Sequence, residues 1–509
     1  AAVEALVAAQ IILPVPSGAE PTFQFKHALL QDVAYQSLLK ITRRDYHGRV
    51  ADALEQQFPD LAETQPEVLA SHFAEAGLPE KAVGYWLKAG RRATRLSSNH
   101  EATFHFERGL ALLDEIEDLK ERTRLEYRLH LGLLAPLIAV KGYASADLER
   151  AISRAIALGE ELGDTGELFP ALHSRQAFEI VTGRIDQALV HAEEAIALAR
   201  RSPPSETSLF AGRMIGAMKL FLGDHNAALE PLRQMLAIYD VERHRTSAHH
   251  FGQDHFVACS AYLSLATWHL GHIEQAREHG RRAIAHARSL DHQNTLGLSL
   301  NFSGVCLGGL ARDLVMLQST SEELLALGKT HSLPVWTAVA TGFAGKLLVE
   351  QGDLSGGIRQ LQAGMDSLFA IKTILLRPML CCWAAEAYAA QGDVTKGLAM
   401  LEQGWEAAKG GERWMNAELH RIKGELLRIG PTADPEAAER SLHEALAVAR
   451  AQGSRSLELR AANSLARLWL RQDRRREAGL LLKPIVEWFA DGPETTDTRE
   501  AATTLAKIA

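Results

Sequence analysis

Cysteine is scarce in this chain. There are four in 509 residues, Cys259, Cys306, Cys381 and Cys382, all in apolar text that reads as helical. None has metal-type spacing, and the usage fits reduced, buried thiols in the cytosol. No apolar run approaches the ~20 residues needed to span a bilayer, and no basic-then-apolar signal stretch opens the sequence. A cytoplasmic location with no membrane partner is therefore expected. Positive charge is not in excess either: the formal net charge is -8. That balance argues against a general phosphate-backbone binder, so DNA is not expected as a partner, despite the short basic stretch ITRRDYHGR at 41–49.

Catalytic constellations are missing as well. There is no Gly-x-Ser-x-Gly elbow, no kinase catalytic loop and no two-histidine zinc-protease signature. Leu-Gly-Lys-Thr at 327–330 imitates a phosphate-binding loop, but Glu323 stands where a glycine is required, inside a helical run. Gly342 to Lys346 fails in the same way. The stretch ERHRTSAHHFGQDHF gathers His244, His249, His250 and His255, without a third ligand type at metal spacing, and reads as a solvated loop between helices. Glu193 and Glu194 read as part of an exposed helix face. No catalytic residue, no metal ligand and no turnover are expected from this chain.

What is present is a repeat. Gly77, Gly183, Gly223, Gly271, Gly352 and Gly392 are each followed, five, nine and twelve residues later, by small or apolar side chains. After Gly183 these are Ala188, Ala192 and Ala195; after Gly392 they are Gly397, Leu401 and Gly404. Offsets of four and then three place such residues on one stripe of a helix, and the glycine suits the left-handed cap that ends the helix before it. Small residues on the stripe let helix axes approach to about 8–10 Å. Two further units keep the stripe without the glycine, at Ala438, Leu442, Ala445 and at Ala478, Leu482, Ile485. Degenerate copies are read at Leu148, Ile152, Ala155 and at Leu314, Gln318, Ser321, and counting Gly309 as a turn glycine puts successive units about 40 residues apart. A single helix pair cannot bury its apolar face, so the units must stack. The pattern resembles the tetratricopeptide repeat, with longer helices. The expected fold class is all-α, an α-solenoid of antiparallel helix pairs over 61–490, with a helical tail at 491–509. Trp268, Trp336 and Trp383 fall on the first helices of their units, which line the inner surface of such an array.

Residues 1–60 differ. They read as a helix, a short strand at Ile11 to Val15, a Pro-Ser-Gly turn, a second strand at Thr22 to Phe25 and two more helices, the pattern of a winged helix with a two-stranded wing. The first residue is Ala, in text that starts mid-helix without a capping residue, so the chain is expected to be a piece of a longer one.

The stretch FKHALLQDVAYQSL is similar to the winged-helix signature of the signal-transducing ATPases with numerous domains, the STAND class. Phe25, Lys26, His27, Ala28, Leu29, Leu30 and Asp32 carry the match, although Ala28 replaces the acidic residue that follows the histidine in that signature. Over its whole length, with FGQDHFVACSAYLSLATWHLG, AELHRIKGELL and SLELRAANSLARLWLRQDRRREAGLLLKPIVEWF, the chain resembles the C-terminal half of bacterial proteins that join a class III adenylate or guanylate cyclase domain, a predicted ATPase and a repeat array. The resemblance implies that His27 touches the β-phosphate of ADP bound by an ATPase domain upstream, and that this fragment itself needs no cofactor while the parent protein uses ADP and ATP. It also implies that the partners are the chain's own upstream ATPase and output domains, with a protein, peptide or small-molecule ligand in the repeat groove. A histidine without that role would cap a helix or fix the wing. Two other assignments compete: the inducer-binding array of a transcription activator of the maltose-regulon type, whose DNA-binding module does not follow residues 486–509, and a free-standing repeat scaffold.

Overall fold

A computed structural model describes every residue except 1, 16–21, 164–167, 200–205, 245, 431–432 and 509. Apart from one hairpin, its regular elements are helices, and the chain divides into two compact units: residues 1–92 with 104–129, and residues 93–103 with 130–509.

In the first unit, α1 (Ala2–Ala8) leads to β1 (Ile12–Val15) and β2 (Thr22–Phe25). The strands pair antiparallel, Ile12 opposite Phe25 and Val15 opposite Thr22, as fits a small wing. The expected Pro-Ser-Gly turn lies outside the described residues. Helices α2 (Ala28–Ser37), α3 (Lys40–Gln57), α4 (Pro59–Thr64), α5 (Pro66–Ala76), α6 (Pro79–Arg95), α7 (Asn99–Leu110) and α8 (Leu119–Lys141) follow, of which residues 93–103 and 130–141 are counted in the second unit. Ala51, Leu69, Phe73 and Ala82 form the core, beside a smaller cluster of Ala70, Trp86 and Ala89. Helices α1 and α2 bury no residue.

The second unit holds the main run of helix pairs. Its elements are α9 (Ala146–Leu162), α10 (Phe169–Val181), α11 (Ile185–Ala199), α12 (Glu206–Phe221), α13 (His225–Ile238), α14 (Val241–His244), α15 (Ser247–Phe251), α16 (His255–His269) and α17 (Ile273–Ser289). Then come α18 (Gln293–Ser299), a π-helical stretch (Leu300–Cys306), α19 (Leu307–Ala311), α20 (Leu314–Thr330), α21 (Pro334–Glu350), α22 (Leu354–Ala370) and α23 (Arg377–Gln391). The last are α24 (Val394–Ala408), α25 (Asn416–Leu427), α26 (Pro435–Ala451), α27 (Arg455–Arg471), α28 (Arg475–Trp488) and α29 (Thr496–Ala506).

The stripe is the buried face of the second helix in each pair. Ala188, Ala192 and Ala195 of α11 and Ala438, Leu442 and Ala445 of α26 are all 0% exposed. Between α21 and α22 the helices touch through glycine: a Cβ placed on Gly364 would lie 2.4 Å from the Gly342 Cα, and one on Gly345 2.7 Å from the Gly357 carbonyl oxygen. Gly271 ends its first helix at φ 83°, the left-handed conformation that the repeat turn requires.

One unit departs from the expected register. In α20 the buried residues include Leu317, Ser321 and Leu324, whereas Gln318 is exposed and Leu314 half-buried. Gly309 is not the turn glycine: it lies inside α19, where a Cβ would meet the Trp383 ring at 2.7 Å, and Arg312 takes the left-handed position at φ 53°. The turn falls three residues later than the glycine suggested, which moves the stripe by the same amount.

The second unit also folds back on itself. The C-terminal carbonyls of early first helices accept from segments at the N-termini of late ones. Val181 O accepts from Ile374 N at 2.7 Å, and Phe221 O from Arg413 N at 2.8 Å and Trp414 N at 3.1 Å. Trp268 O accepts from Ser456 Oγ, 188 residues later, and Leu310 O from the Arg460 guanidinium. Carbonyls that a helix end leaves unpaired are thereby satisfied. The space between these first helices is consequently narrowed by the chain itself.

Candidate functional site

His27 sits at the N-cap of α2, with extended backbone (φ -135°, ψ 132°) and an exposed side chain that makes no capping hydrogen bond. The helix it opens carries bare apolar side chains: Leu29 is 78% and Val33 66% exposed, and Leu39 and Ile41 beyond it 73% and 76%.

The stretches that imitate phosphate loops are packing elements. Residues 327–330 close α20, and 342–346 lie within α21, where Gly342 and Gly345 meet α22. The histidine-rich stretch is not a solvated loop. It forms α14 and α15 and the start of α16, with His244 and His255 buried, His249 half-buried against His292, and only His250 exposed. Phe251 and Ala248, buried beside them, draw the segment into the core. Among the described residues, no group of three or more His, Cys, Asp or Glu side chains is placed to hold a metal ion.

The distinctive site lies in the second unit, where α10, α12, α16, the π-helical stretch and α21 converge on a cavity of roughly 60 Å³. Each contributes inward residues of a first helix: Gln176, Arg213, Tyr262, Phe302 and Trp336, with Leu375 closing one side. Wide π turns recur at functional sites, and this one supplies both Asn301 and Phe302.

Arg213 dominates the polar end. It is 3% exposed, its Nη1 donates to His255 Nδ1 at 3.1 Å and its Nη2 to Gln253 Oε1. Gln253 in turn donates to the Tyr143 hydroxyl, which also accepts from Asn294 Nδ2 at 2.8 Å. The Asn294 Oδ1 accepts from Trp336 Nε1 at 2.9 Å. Among the described residues no carboxylate pairs with Arg213. Asp254, beside Gln253, is committed elsewhere, capping α16 through Val257 N at 2.9 Å and accepting from the Tyr239 hydroxyl at 2.7 Å. Glu179 of α10 holds His191 at 2.7 Å. Burial, reinforced by Arg213, lowers the proton affinity of both His173 and His255 well below that of a free histidine, so both are neutral and supply no charge. The Nδ1 of His173, on the cavity wall, has no partner among the described residues.

A second cavity, about 320 Å³, differs in kind. Its cations are matched. Lys346 pairs with Glu350 at 2.7 Å and Glu386 at 3.1 Å, Arg421 with Glu418 at 2.8 Å, and Arg460 with Asp497 at 2.8 Å. Burial alone would raise Glu386, but Lys346, Arg421 and Arg460 outweigh it and hold the carboxyl well below the usual range. Charge there is used up within the protein.

Sequence reasoning placed Trp336 on an inner surface and missed Arg213. The signal for it was weak: a single arginine in the apolar middle, LFAGRMIGAM, of the first helix ETSLFAGRMIGAMKLF. Its neighbours come from positions as far apart as Tyr143 and Leu376, and nothing local announces their meeting.

No protein-family model matches the chain. An uncharacterised protein of Rhizobium meliloti (strain 1021) is 25% identical over 457 residues, 88% of this chain, and the chain spans 43% of that protein's length. Among solved structures, the Cut9–Hcn1 hetero-tetramer of the APC/C is 12% identical with a TM-score of 0.44, covering 94% of this chain and 98% of that one. A monomeric IFIT1 mutant with Gppp-AAAA is 15% identical with a TM-score of 0.42, covering 93% and 95%. A STAND protein with a tetratricopeptide repeat sensor from Pyrococcus horikoshii is 11% identical with a TM-score of 0.36, covering 87% and 71%. Similarity this distant carries no conclusion about ligand or activity.

Proposed function

We propose that this chain is the regulatory, sensing arm of a longer signal-transducing ATPase. Residues 1–60 act as the winged-helix coupling module, 61–490 as the repeat sensor and 491–509 as its helical tail. The observation that carries this reading is the bare apolar face of α2 and the start of α3. Leu29, Val33, Leu39 and Ile41 would each gain about 1.5–3 kcal/mol on burial, and none of the described residues of the first unit covers them. The cover we assign is an upstream ATPase domain, against which His27, at the exposed head of α2, reaches the β-phosphate of bound ADP. The fragment itself performs no turnover; nucleotide belongs to the parent protein, and its output domain is a nucleotide cyclase.

A histidine bond to phosphate contributes about 1.5–3 kcal/mol, while moving a switch from 1:99 to 99:1 takes about 5.5 kcal/mol. The repeat array must therefore supply the remainder through a ligand that binds one state better. The test is the full-length protein with and without residues 61–490, assayed for ATP hydrolysis and cyclic nucleotide formation. Output that depends on the array is expected. Equal rates in both proteins refute the regulatory role, and ADP release unchanged by His27→Ala refutes the role of His27.

A further inference from the structure

A buried guanidinium ordinarily has a carboxylate beside it, because an ion stripped of water without a counter-charge costs several kcal/mol. Arg213 breaks that rule while the neighbouring charged cavity keeps it. Its acceptors are an amide oxygen and a neutral imidazole, and the two acidic residues closest in the sequence of its neighbours, Asp254 and Glu179, are held by other donors. The guanidinium borders a cavity whose other walls are mostly apolar and aromatic, among them Phe221, Phe302, Trp336, Val339 and Leu375, with Asn301 and Thr373 as polar exceptions. His173 adds a polar nitrogen that no described residue satisfies. One end of the space is thus cationic and rich in hydrogen-bonding groups, and the rest is greasy. Because the first helices are closed over by the 373–376 and 413–414 segments, the space suits a small molecule and not an extended chain.

We propose that this cavity, at roughly 60 Å³, binds a small organic monoanion, a short carboxylate of the size of acetate or propionate, with Arg213 as its counter-ion and the Phe302 and Trp336 rings against its alkyl end. The site names the ligand class of the sensing arm, and only its description as a signal rests on that earlier reading. Charge-assisted bonds to a carboxylate set the orientation, and the apolar walls exclude ligands that are charged throughout.

The test uses the 509-residue chain, the variants Arg213→Met and Ala177→Phe, and a probe set of acetate, propionate, ethanol, propanol, chloride and phosphate. Ala177 is half-buried on the cavity wall, so a phenyl ring there fills the space while Arg213 stays. We expect at least one of the two carboxylates to bind by calorimetry and to raise the melting temperature by about 3 °C or more at a hundredfold excess over its dissociation constant. The alcohols should do neither. Arg213→Met should weaken carboxylate binding at least about tenfold, and Ala177→Phe should abolish it. Failure of both carboxylates, undiminished binding in either variant, or a response to chloride or phosphate alone would overturn the proposal. Binding that holds while the full-length protein's turnover ignores the same acid refutes the sensor reading and leaves the site intact. Array-dependent turnover without carboxylate binding does the reverse.

Discussion

Glu412 offers a direct measure of what the closure inside the second unit costs. Its side chain is 0% exposed and pairs with no cation among the described residues; both carboxyl oxygens accept from Leu376 N, at 3.1 and 3.2 Å, and one from Trp414 Nε1 at 2.9 Å. Burial pushes the carboxyl up from 4.5 to about 8, against the pull of the Trp414 and Leu376 donors. The acid is therefore neutral in the folded protein at pH 7 and ionised in the unfolded chain. Between pH 4.5 and 8 the folded state binds more protons than the unfolded one, so stability falls as pH rises. At 1.36 kcal/mol per pH unit this contribution removes about 2 kcal/mol by pH 6 and about 4 kcal/mol by pH 8. Glu412→Gln keeps an acceptor for both donors and cannot ionise. In urea denaturation at pH 5, 6, 7 and 8, the variant should match the native protein at the acid end and exceed it increasingly towards pH 8. Because a repeat array can unfold in parts, the signal should come from Trp414, which reports on its own neighbourhood. Parallel pH profiles for the two proteins would refute the reasoning.

Three further predictions follow from the packing. His225 is stacked on His269 at 4.0 Å, fully buried with neither ring nitrogen partnered, and burial lowers it from 6.5 to about 3. Its folded state resists a proton that the unfolded chain accepts, so stability falls as pH drops below 6.5, by about 2 kcal/mol at pH 5; His225→Phe should lose less than the native protein between pH 6.5 and 5 in the same urea titration. Gly364→Ala must separate α21 from α22, since the new Cβ would lie 2.4 Å from backbone, and should cost about 1–3 kcal/mol or more; Gly84→Ala, with nothing within 4 Å, should instead stabilise α6 by about 0.5–1 kcal/mol in thermal melts.

The sequence by itself determined the local periodicities. A glycine that can turn left-handed, followed by a stripe at offsets of five, nine and twelve, reports a helix pair wherever it occurs, because helix geometry and cap conformation depend on a few neighbouring residues. The hairpin at the start was legible for the same reason. Where the cue was ambiguous the reading slipped: Gly309 proved to be a close contact with Trp383, and an arginine without special backbone freedom made the turn. The histidine-rich stretch was misread because its burial is imposed by helices from elsewhere.

Tertiary structure alone decided the rest. Val181 finds Ile374, Phe221 finds Trp414 and Trp268 finds Ser456 only because small rotations between successive pairs accumulate until distant first helices meet. That meeting strips water from Arg213 and Glu412, two ordinary surface-type residues in the linear text, and gives one an unanswered charge and the other a proton it would otherwise lose. Charge and hydrogen-bonding partners in a folded chain are set by the local dielectric and by what lies a few ångströms away, and neither is written in the residues next door.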